Sequence, residues 1–355
     1  MRITRLDAWR VRFPLVKPYS IAYATTEVAE NVFVRLETDS PLAGYGAASP
    51  DIEVTGETPE TVLAGLLTRA EPIVRGRDPL DTAAIVRDLA AAFPRGPSAL
   101  AAVDIALHDL KARIAGLPLW QLLGGYRSSI KTSVTVGILP EAETVEAARR
   151  WVERGFTSLK LKGGLDVDSD IERVFKVREA LGSDVELCFD ANQGYDLNDA
   201  LRFSERACQA AVRFLEQPTP KGDLEMLSQV KRAGLLRIMA DESVVSPNDA
   251  LTLATTSSVD YFNIKLMKHG GISGAMRIDT IAECAGIPAM VGCMDESALS
   301  IAAGLAFALA RPNVFQADLD GHLTLLEDPV LGQIRLSEGI LRGTNEPGLG
   351  VLACA

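Results

Sequence analysis

From Thr132 onward the chain is punctuated by short apolar runs: SVTVGI, TSLKLK, VELCFD, VRFLE, LRIMAD, DYFNIK, IPAMVG and VFQADLD. Amphipathic stretches separate them, among them residues 142–154, 168–181 and 271–285. Short runs apolar on both faces suit parallel strands, and each spacer is long enough for a crossover helix. Eight βα-type units in succession favour a (β/α) barrel within the α/β class. Periodicity alone leaves an open parallel sheet as the alternative.

The first third has a different texture. Residues 3–13 and 31–37 alternate as strands do, and 43–49 is rich in Gly and Ala with a turn at each end. Between the first two lies a mixed stretch, 14–30, too long for a hairpin turn and expected to be a mobile loop. A second loop is expected at 49–58. Helical patterns cover 59–74 and 98–114, where Leu100, Val103, Leu107 and Leu110 recur at helical spacing. The expected organisation is a small α+β domain at 1–125, a barrel at 126–322, and a tail at 323–355 packing back on the first domain.

Charges fall where the runs end. Lys162, Asp190, Glu216, Asp241 and Lys265 close the second to sixth runs at spacings of 28, 26, 25 and 24 residues, one βα unit each. In a barrel this places all five on the C-terminal rim, where such folds keep their sites. Burying charge there is costly unless it is paired or bound to metal. Three carboxylates without histidine are hard oxygen ligands that select Mg²⁺ or Mn²⁺ over zinc. Such a cation can stabilise the second negative charge that develops when a carboxylate substrate loses its α-proton. A desolvated lysine beside a cation has a depressed pKa and suits the role of base, and Lys160 would add a further positive charge. A Schiff base on one lysine is the competing chemistry.

The motifs SLKLK (158–162), FDANQ (189–193), EQP (216–218), ADES (240–243) and NIKL (263–266) together resemble the enolase superfamily, muconate-lactonizing subgroup. The resemblance spans essentially the whole chain. It implies a (β/α)₇β barrel with an α+β capping domain. By this resemblance Asp190, Glu216 and Asp241 bind one Mg²⁺ (or Mn²⁺), and Lys162 and Lys265 act from opposite faces of the α-carbon, with Lys160 assisting electrostatically. Lys268, expected in a loop past the strand end, is a weaker base candidate. His269 is read as a loop residue and His108 as helix packing.

The last run ends ADLDGH, and strand alternation would put Asp318 and Asp320 on one face, into the barrel mouth. Two carboxylates there are apt partners for an ammonium group. This pair resembles the dipeptide epimerase signature, as does GCMDES (292–297). The implied reaction inverts the α-carbon of the C-terminal residue of an L,L-dipeptide through an enediolate, with Thr135 and Met294 lining the substrate site. Epimerases for L-Ala-L-Glu carry an arginine in the loop between the first two strands; here Ala24 stands at that place, and KPYSIAYATTEVAEN holds no Arg. Asp51 and Asp295 would instead favour a cationic Lys or Arg side chain. Tyr19, Ile21 and Tyr23 would alternatively suit a hydrophobic dipeptide. Other readings are an N-succinylamino acid racemase, an o-succinylbenzoate synthase or a cycloisomerase of the same superfamily; from other classes, a Schiff-base aldolase or a non-catalytic binding protein.

Composition removes several partners. With 36 Lys and Arg against 47 Asp and Glu, the net charge is −11, and no basic run exists to hold a nucleic acid. Three histidines leave little for a zinc site, and five scattered cysteines without a CxxC spacing indicate neither a disulfide framework nor structural zinc. The N-terminus lacks the apolar core of a signal peptide, and the apolar stretch 298–310 is too short to span a bilayer. A cytoplasmic enzyme is expected, with a small-molecule dipeptide as partner, no membrane, and a homo-oligomer as a possibility.

Overall fold

A computed structural model describes residues 1–330 and 334–350; residues 331–333 and 351–355, with Cys354 and part of the tail, lie outside the described residues. The chain opens with β1 (Ile3–Ser20), β2 (Thr25–Thr38) and β3 (Ala43–Ala48), an antiparallel sheet in that order. Next, α1 (Pro59–Gly65) runs through a π-turn at Leu66–Ala70 into α2 (Glu71–Val74), followed by α3 (Thr82–Ala92), α4 (Pro97–Ala115) and α5 (Leu119–Leu122). Sequence patterning passed over α3. Its buried Ile85, Val86 and Leu89 stand among alanines that blur the contrast between faces.

Residues 14–30 are not a loop. β1 and β2 stay paired as far as Pro14 opposite Val28, shift register, and resume with Tyr19 opposite Thr26 and Ser20 opposite Thr25. Only a tight turn remains, closed by the Ile21 N–H donating to the Ala24 carbonyl at 2.9 Å. Pro14 and Pro18, which spoil the strand pattern, lie on an edge strand around the irregularity, where a missing N–H is tolerated.

The sheet approaches α4 closely. A Cβ on Gly46 would run into the Ala102 carbonyl oxygen, and one on Gly44 into that of Ala106. Glycine is required there because the helix backbone itself is the neighbour.

After β4 (Ser129–Lys131), the eight runs become β5 (Val134–Val136), β6 (Ser158–Lys162), β7 (Glu186–Asp190), β8 (Val212–Glu216), β9 (Arg237–Ala240), β10 (Tyr261–Lys265), β11 (Ala289–Gly292) and β12 (Val314–Asp318). They form one parallel sheet in sequence order. The Ser133 N–H donates to the Ala317 carbonyl at 2.9 Å and joins the last strand to the first, which decides for a barrel over an open sheet. Seven helices cross between the eight strands: α6 (Glu141–Glu153), α7 (Val167–Leu181), α8 (Leu197–Ala207), α9 (Leu224–Ala233), α10 (Pro247–Thr255), α12 (Ile272–Cys284) and α13 (Ala298–Ala310), with a short α11 (Leu266–His269) directly after β10. This is the (β/α)₇β arrangement.

Alternation along a strand serves two interiors. In β6, Leu159 and Leu161 join the apolar layer beneath the helices. Ser158, Lys160 and Lys162 point into the barrel, where Ser158 accepts from Gln316 and both lysines meet carboxylates. All five residues are buried, so the strand looks continuous in burial and alternating in chemistry. Helix α13 is buried along its whole length, and no helix among the described residues is long and apolar enough to cross a membrane.

In the tail, β13 (Arg335–Ser337) and β14 (Ile340–Arg342) add to β4. Further on, Thr344 accepts from Trp120 Nε1 at 2.8 Å, and the Leu349 N–H donates to Asp109 on α4 at 2.7 Å. Replacing Gly46 with Ala should force β3 away from α4 and cost about 1–3 kcal/mol in urea unfolding; an unchanged midpoint would contradict this packing.

Candidate active site

Strand register brings the charged ends together: Lys162 is opposite Asp190, and Asp190 opposite Glu216. Lys160 is the hub. Its Nζ lies 3.2 Å from Asp190 Oδ2, 2.9 Å from Glu216 Oε2 and 2.9 Å from Asp318 Oδ2. Lys162 Nζ donates to Asp190 Oδ2 at 2.7 Å and to Asn192 Oδ1 at 3.0 Å. On the opposite side of the rim, Lys265 Nζ lies 2.8 Å from Asp241 Oδ2. Lys268 is not in a loop. It sits in α11, fully buried, and donates to Asp241 Oδ1 at 2.5 Å and to the Asp241 carbonyl. It braces Asp241 and is not among the residues that line the cavity. His269, buried beside it, has Nδ1 2.9 Å from the Val245 carbonyl and is pushed down to about 3 by burial and by Lys268, so it is neutral.

The electrostatics follow from these pairs. Burial pushes the Asp241 carboxyl up, but Lys265, Lys268 and Lys160 together hold it well below the usual range. Burial likewise disfavours charge on Asp190, and Lys162 and Lys160 outweigh it. Glu216 has no such surplus of cations; burial and the nearby Asp190 push it up to about 8. Burial acts to depress Lys265, as the sequence suggested, yet Asp241 prevails and holds its ammonium well above the ordinary value.

Asp190, Glu216 and Asp241 offer carboxylate oxygens that all lie within 4.8 Å of one another, and all three are buried. Glu216 Oε1 accepts from Asn263 Nδ2 at 2.8 Å, whereas its Oε2, though beside Lys160, accepts no hydrogen bond. Three hard oxygen donors this close together fit a Mg²⁺- or Mn²⁺-type cation and do not fit zinc.

Above this rim lies a cavity of about 520 Å³, whose lining includes Lys160, Lys162 and Lys265. Thr135, Asp318, Asp320, Asp51, Ala24, Met294 and Asp295 line it too. Strand alternation does not account for the Asp318/Asp320 pair: β12 stops at Asp318, and Asp320 enters from the turn that follows. The Thr135 N–H, donating to Asp320 Oδ2 at 2.6 Å, ties that turn to β5. Asp318 accepts from Ser133 Oγ at 2.6 Å as well as from Lys160, and these partners outweigh burial to keep it ionised. Asp320 lacks a lysine; burial and Asp318 push it up to about 6.

On the other wall, Ala24 is at the hairpin turn. Asp51 Oδ1 accepts the N–H groups of Glu53 and Val54 at 2.8 and 2.9 Å. Asp295 is half-buried, and Tyr19 Oη donates to its two oxygens at 2.8 and 2.9 Å.

Residues 4–124 match the mandelate racemase / muconate lactonizing enzyme N-terminal domain, and residues 143–353 match the enolase C-terminal domain-like family. The chain belongs to the mandelate racemase / muconate lactonizing enzyme family. Among characterised members, it is 43% identical to the L-Lys-D/L-Arg epimerase of Methylococcus capsulatus over 99% of each chain. The substrate-liganded L-Ala-D/L-Glu epimerase of Bacillus subtilis superposes with a TM-score of 0.97 at 38% identity, covering 100% of both chains. The dipeptide epimerase of Methylococcus capsulatus, solved with Mg and L-Arg-D-Lys, gives 0.93 at 42% identity over 99% of this chain and 100% of that one.

Several polar groups of this family member escaped sequence reasoning. Asn192 and Glu242 both line the cavity, and Ser133 supports Asp318. Asn192 stands inside FDANQ and Glu242 inside ADES, each beside a carboxylate that drew attention first. Tyr19, whose ring would suit a hydrophobic dipeptide, also orders Asp295 through its hydroxyl. Glu296, buried just after Asp295, is pushed up to about 7 mainly by burial. A carboxyl raised in the folded state stabilises fully below its unfolded value near 4.5, and that contribution is lost as pH climbs through about 7. Glu296→Gln should therefore flatten the fall in melting temperature between pH 5 and 8, read by thermal melts; an unchanged slope would show that Glu296 does not titrate there.

Proposed function

We propose that this protein is a Mg²⁺-dependent dipeptide epimerase acting on the α-carbon of the C-terminal residue of L,L-dipeptides. The observation that carries the reading is Lys162 and Lys265 opening into one cavity, each paired with a different carboxylate of the Asp190/Glu216/Asp241 set. Asp190, Glu216 and Asp241 would hold the cation. When bound, it would fix the substrate carboxylate, stabilise the charge that develops there, and draw Asp241 away from raising Lys265.

The lysines move the proton. One, neutral, takes the α-proton on its Nζ lone pair as the C–H bond breaks and the electron pair passes into the substrate carboxylate group. The other, as ammonium, returns a proton to the opposite face, so the centre inverts with no redox change. One turnover exchanges the protonation states of the two lysines, which makes the enzyme competent for the reverse direction. Lys160, held by Asp190, Glu216 and Asp318, contributes fixed positive charge beside the reacting carboxylate.

Asp318 and Asp320 would receive the free amino terminus. Asp318 already serves Lys160 and Ser133, so Asp320, whose Oδ1 has only a 3.9 Å contact from Cys293 Sγ, carries the larger share. Thr135 and Met294 would shape the path between the two ends. For the side chains, Ala24 removes a cationic partner for an acidic residue, and Asp51 and Asp295 supply negative charge. That favours Lys- or Arg-containing dipeptides, in keeping with the L-Lys-D/L-Arg epimerases at 42% and 43% identity. A reducing cytoplasmic setting suits the four described cysteines, all free.

Incubation with a library of L,L-dipeptides and Mg²⁺ in D₂O, read by mass spectrometry, should place deuterium on one α-carbon of cationic dipeptides. Exchange with N-succinylamino acids alone would sink the ammonium-clamp reading. Lys162→Ala and Lys265→Ala should each lower epimerisation by roughly 10³-fold or more. Asp320→Asn should raise KM for dipeptides about tenfold, the worth of one charge-assisted contact. Chelation should abolish exchange and Mg²⁺ restore it.

A further inference from the structure

We infer that Asn192, oriented by Glu242, is a positioning residue that aims Lys162 at the α-carbon. The inference rests on the two-lysine reading above. An amine nitrogen has three tetrahedral positions besides its own carbon. On Lys162 Nζ, Asp190 Oδ2 takes one at 2.7 Å and Asn192 Oδ1 takes a second at 3.0 Å. The third is the position left for substrate: a lone pair when the lysine acts as base, an N–H when it acts as acid. With one acceptor only, Nζ could rotate that position around a cone; with two, its direction is set. Among the described residues Lys265 has a single side-chain partner of opposite charge, Asp241, and no comparable second acceptor.

The backbone supports the same purpose. Asn192 has φ of 41°, in the left-handed region that few non-glycine residues occupy and that Asn tolerates best. In that conformation its N–H donates to Asp190 Oδ1 at 2.9 Å while its side chain reaches Lys162. One residue thus brackets both members of the Lys162–Asp190 pair.

An amide can present either end, and Glu242 decides which. Glu242 Oε1 accepts from Asn192 Nδ2 at 3.2 Å, so the amide oxygen is the end left for Lys162. Glu242 is only 3% exposed, and among the described residues its Oε2 has no hydrogen-bond partner. A buried carboxyl oxygen without a partner is costly as mere packing, since an unsatisfied buried acceptor is a net penalty. Its one side-chain hydrogen bond fixes which end of the Asn192 amide faces Lys162.

The test follows α-proton exchange in D₂O separately from the L,L and L,D forms of one exchanging dipeptide, with Mg²⁺ present. Lys162→Ala first identifies the epimer whose exchange needs Lys162. Asn192→Gly, which suits the left-handed backbone, should slow exchange of that same epimer roughly ten- to hundredfold in kcat, as misaimed catalytic groups do. KM and the exchange of the other epimer should stay within about threefold. Glu242→Leu should reproduce the one-sided loss, and Glu242→Gln, which keeps Oε1 as acceptor, should recover most of it. Equal loss in both directions, or a loss confined to KM for cationic dipeptides, would overturn the assignment and make Asn192 and Glu242 general structural or side-chain-binding groups. If Lys162→Ala itself shows no one-sided loss, the two-lysine reading falls, and this inference with it.

Discussion

Everything at the barrel rim depends on Lys160. A lysine with 2% of its side chain exposed is tolerable only because three carboxylates surround it, and those carboxylates are tolerable only because it is there. The three belong to β7, β8 and β12, so the ion cluster ties strands on both sides of the barrel seam. Burial raises the cost of every member, and it also raises the strength of every pair. The result is a rim whose charges cannot be changed singly without leaving a buried ion unmatched.

This cluster has an internal asymmetry. Asp190, Asp241 and Asp318 each have cations enough to remain ionised, while Glu216, Glu242 and Asp320 are pushed upward for want of them. Carboxyl groups short of cationic partners therefore stand at two places, Glu216 in the carboxylate trio and Asp320 beside the β5–β12 junction. A divalent cation at the first and an ammonium at the second would each supply the missing positive charge. On the proposed function, one principle applied twice would recognise the two ends of a zwitterionic dipeptide.

Much of this was legible in the sequence because strand ends and charges share a period. The spacing of Lys162, Asp190, Glu216, Asp241 and Lys265 reports successive parallel strands, since each βα unit advances one strand, while closure into a barrel is decided by the bond from Ser133 to Ala317. The hairpin was not legible, because Pro14 and Pro18 hide strand pairing that an edge position permits. Nor was the placement of Asp320, which depends on the Thr135 N–H across the barrel seam and not on alternation within one strand. Tyr19, Asn192 and Glu242 act through partners distant in sequence, at separations of 276 and 50 residues for Tyr19–Asp295 and Asn192–Glu242. No local pattern encodes such contacts.

The β1–β2 hairpin belongs to a different sheet from the strands that carry the lysines, yet its turn forms part of the cavity wall. Its edge strand already accommodates an irregular register and two prolines, so its tip can accept new side chains without disturbing the barrel ladder. A position such as Ala24 is then free to drift under selection while the ion cluster below stays frozen. On the proposed function, a change at the hairpin tip would alter which side chains the cavity admits and leave the lysines and their carboxylates in place.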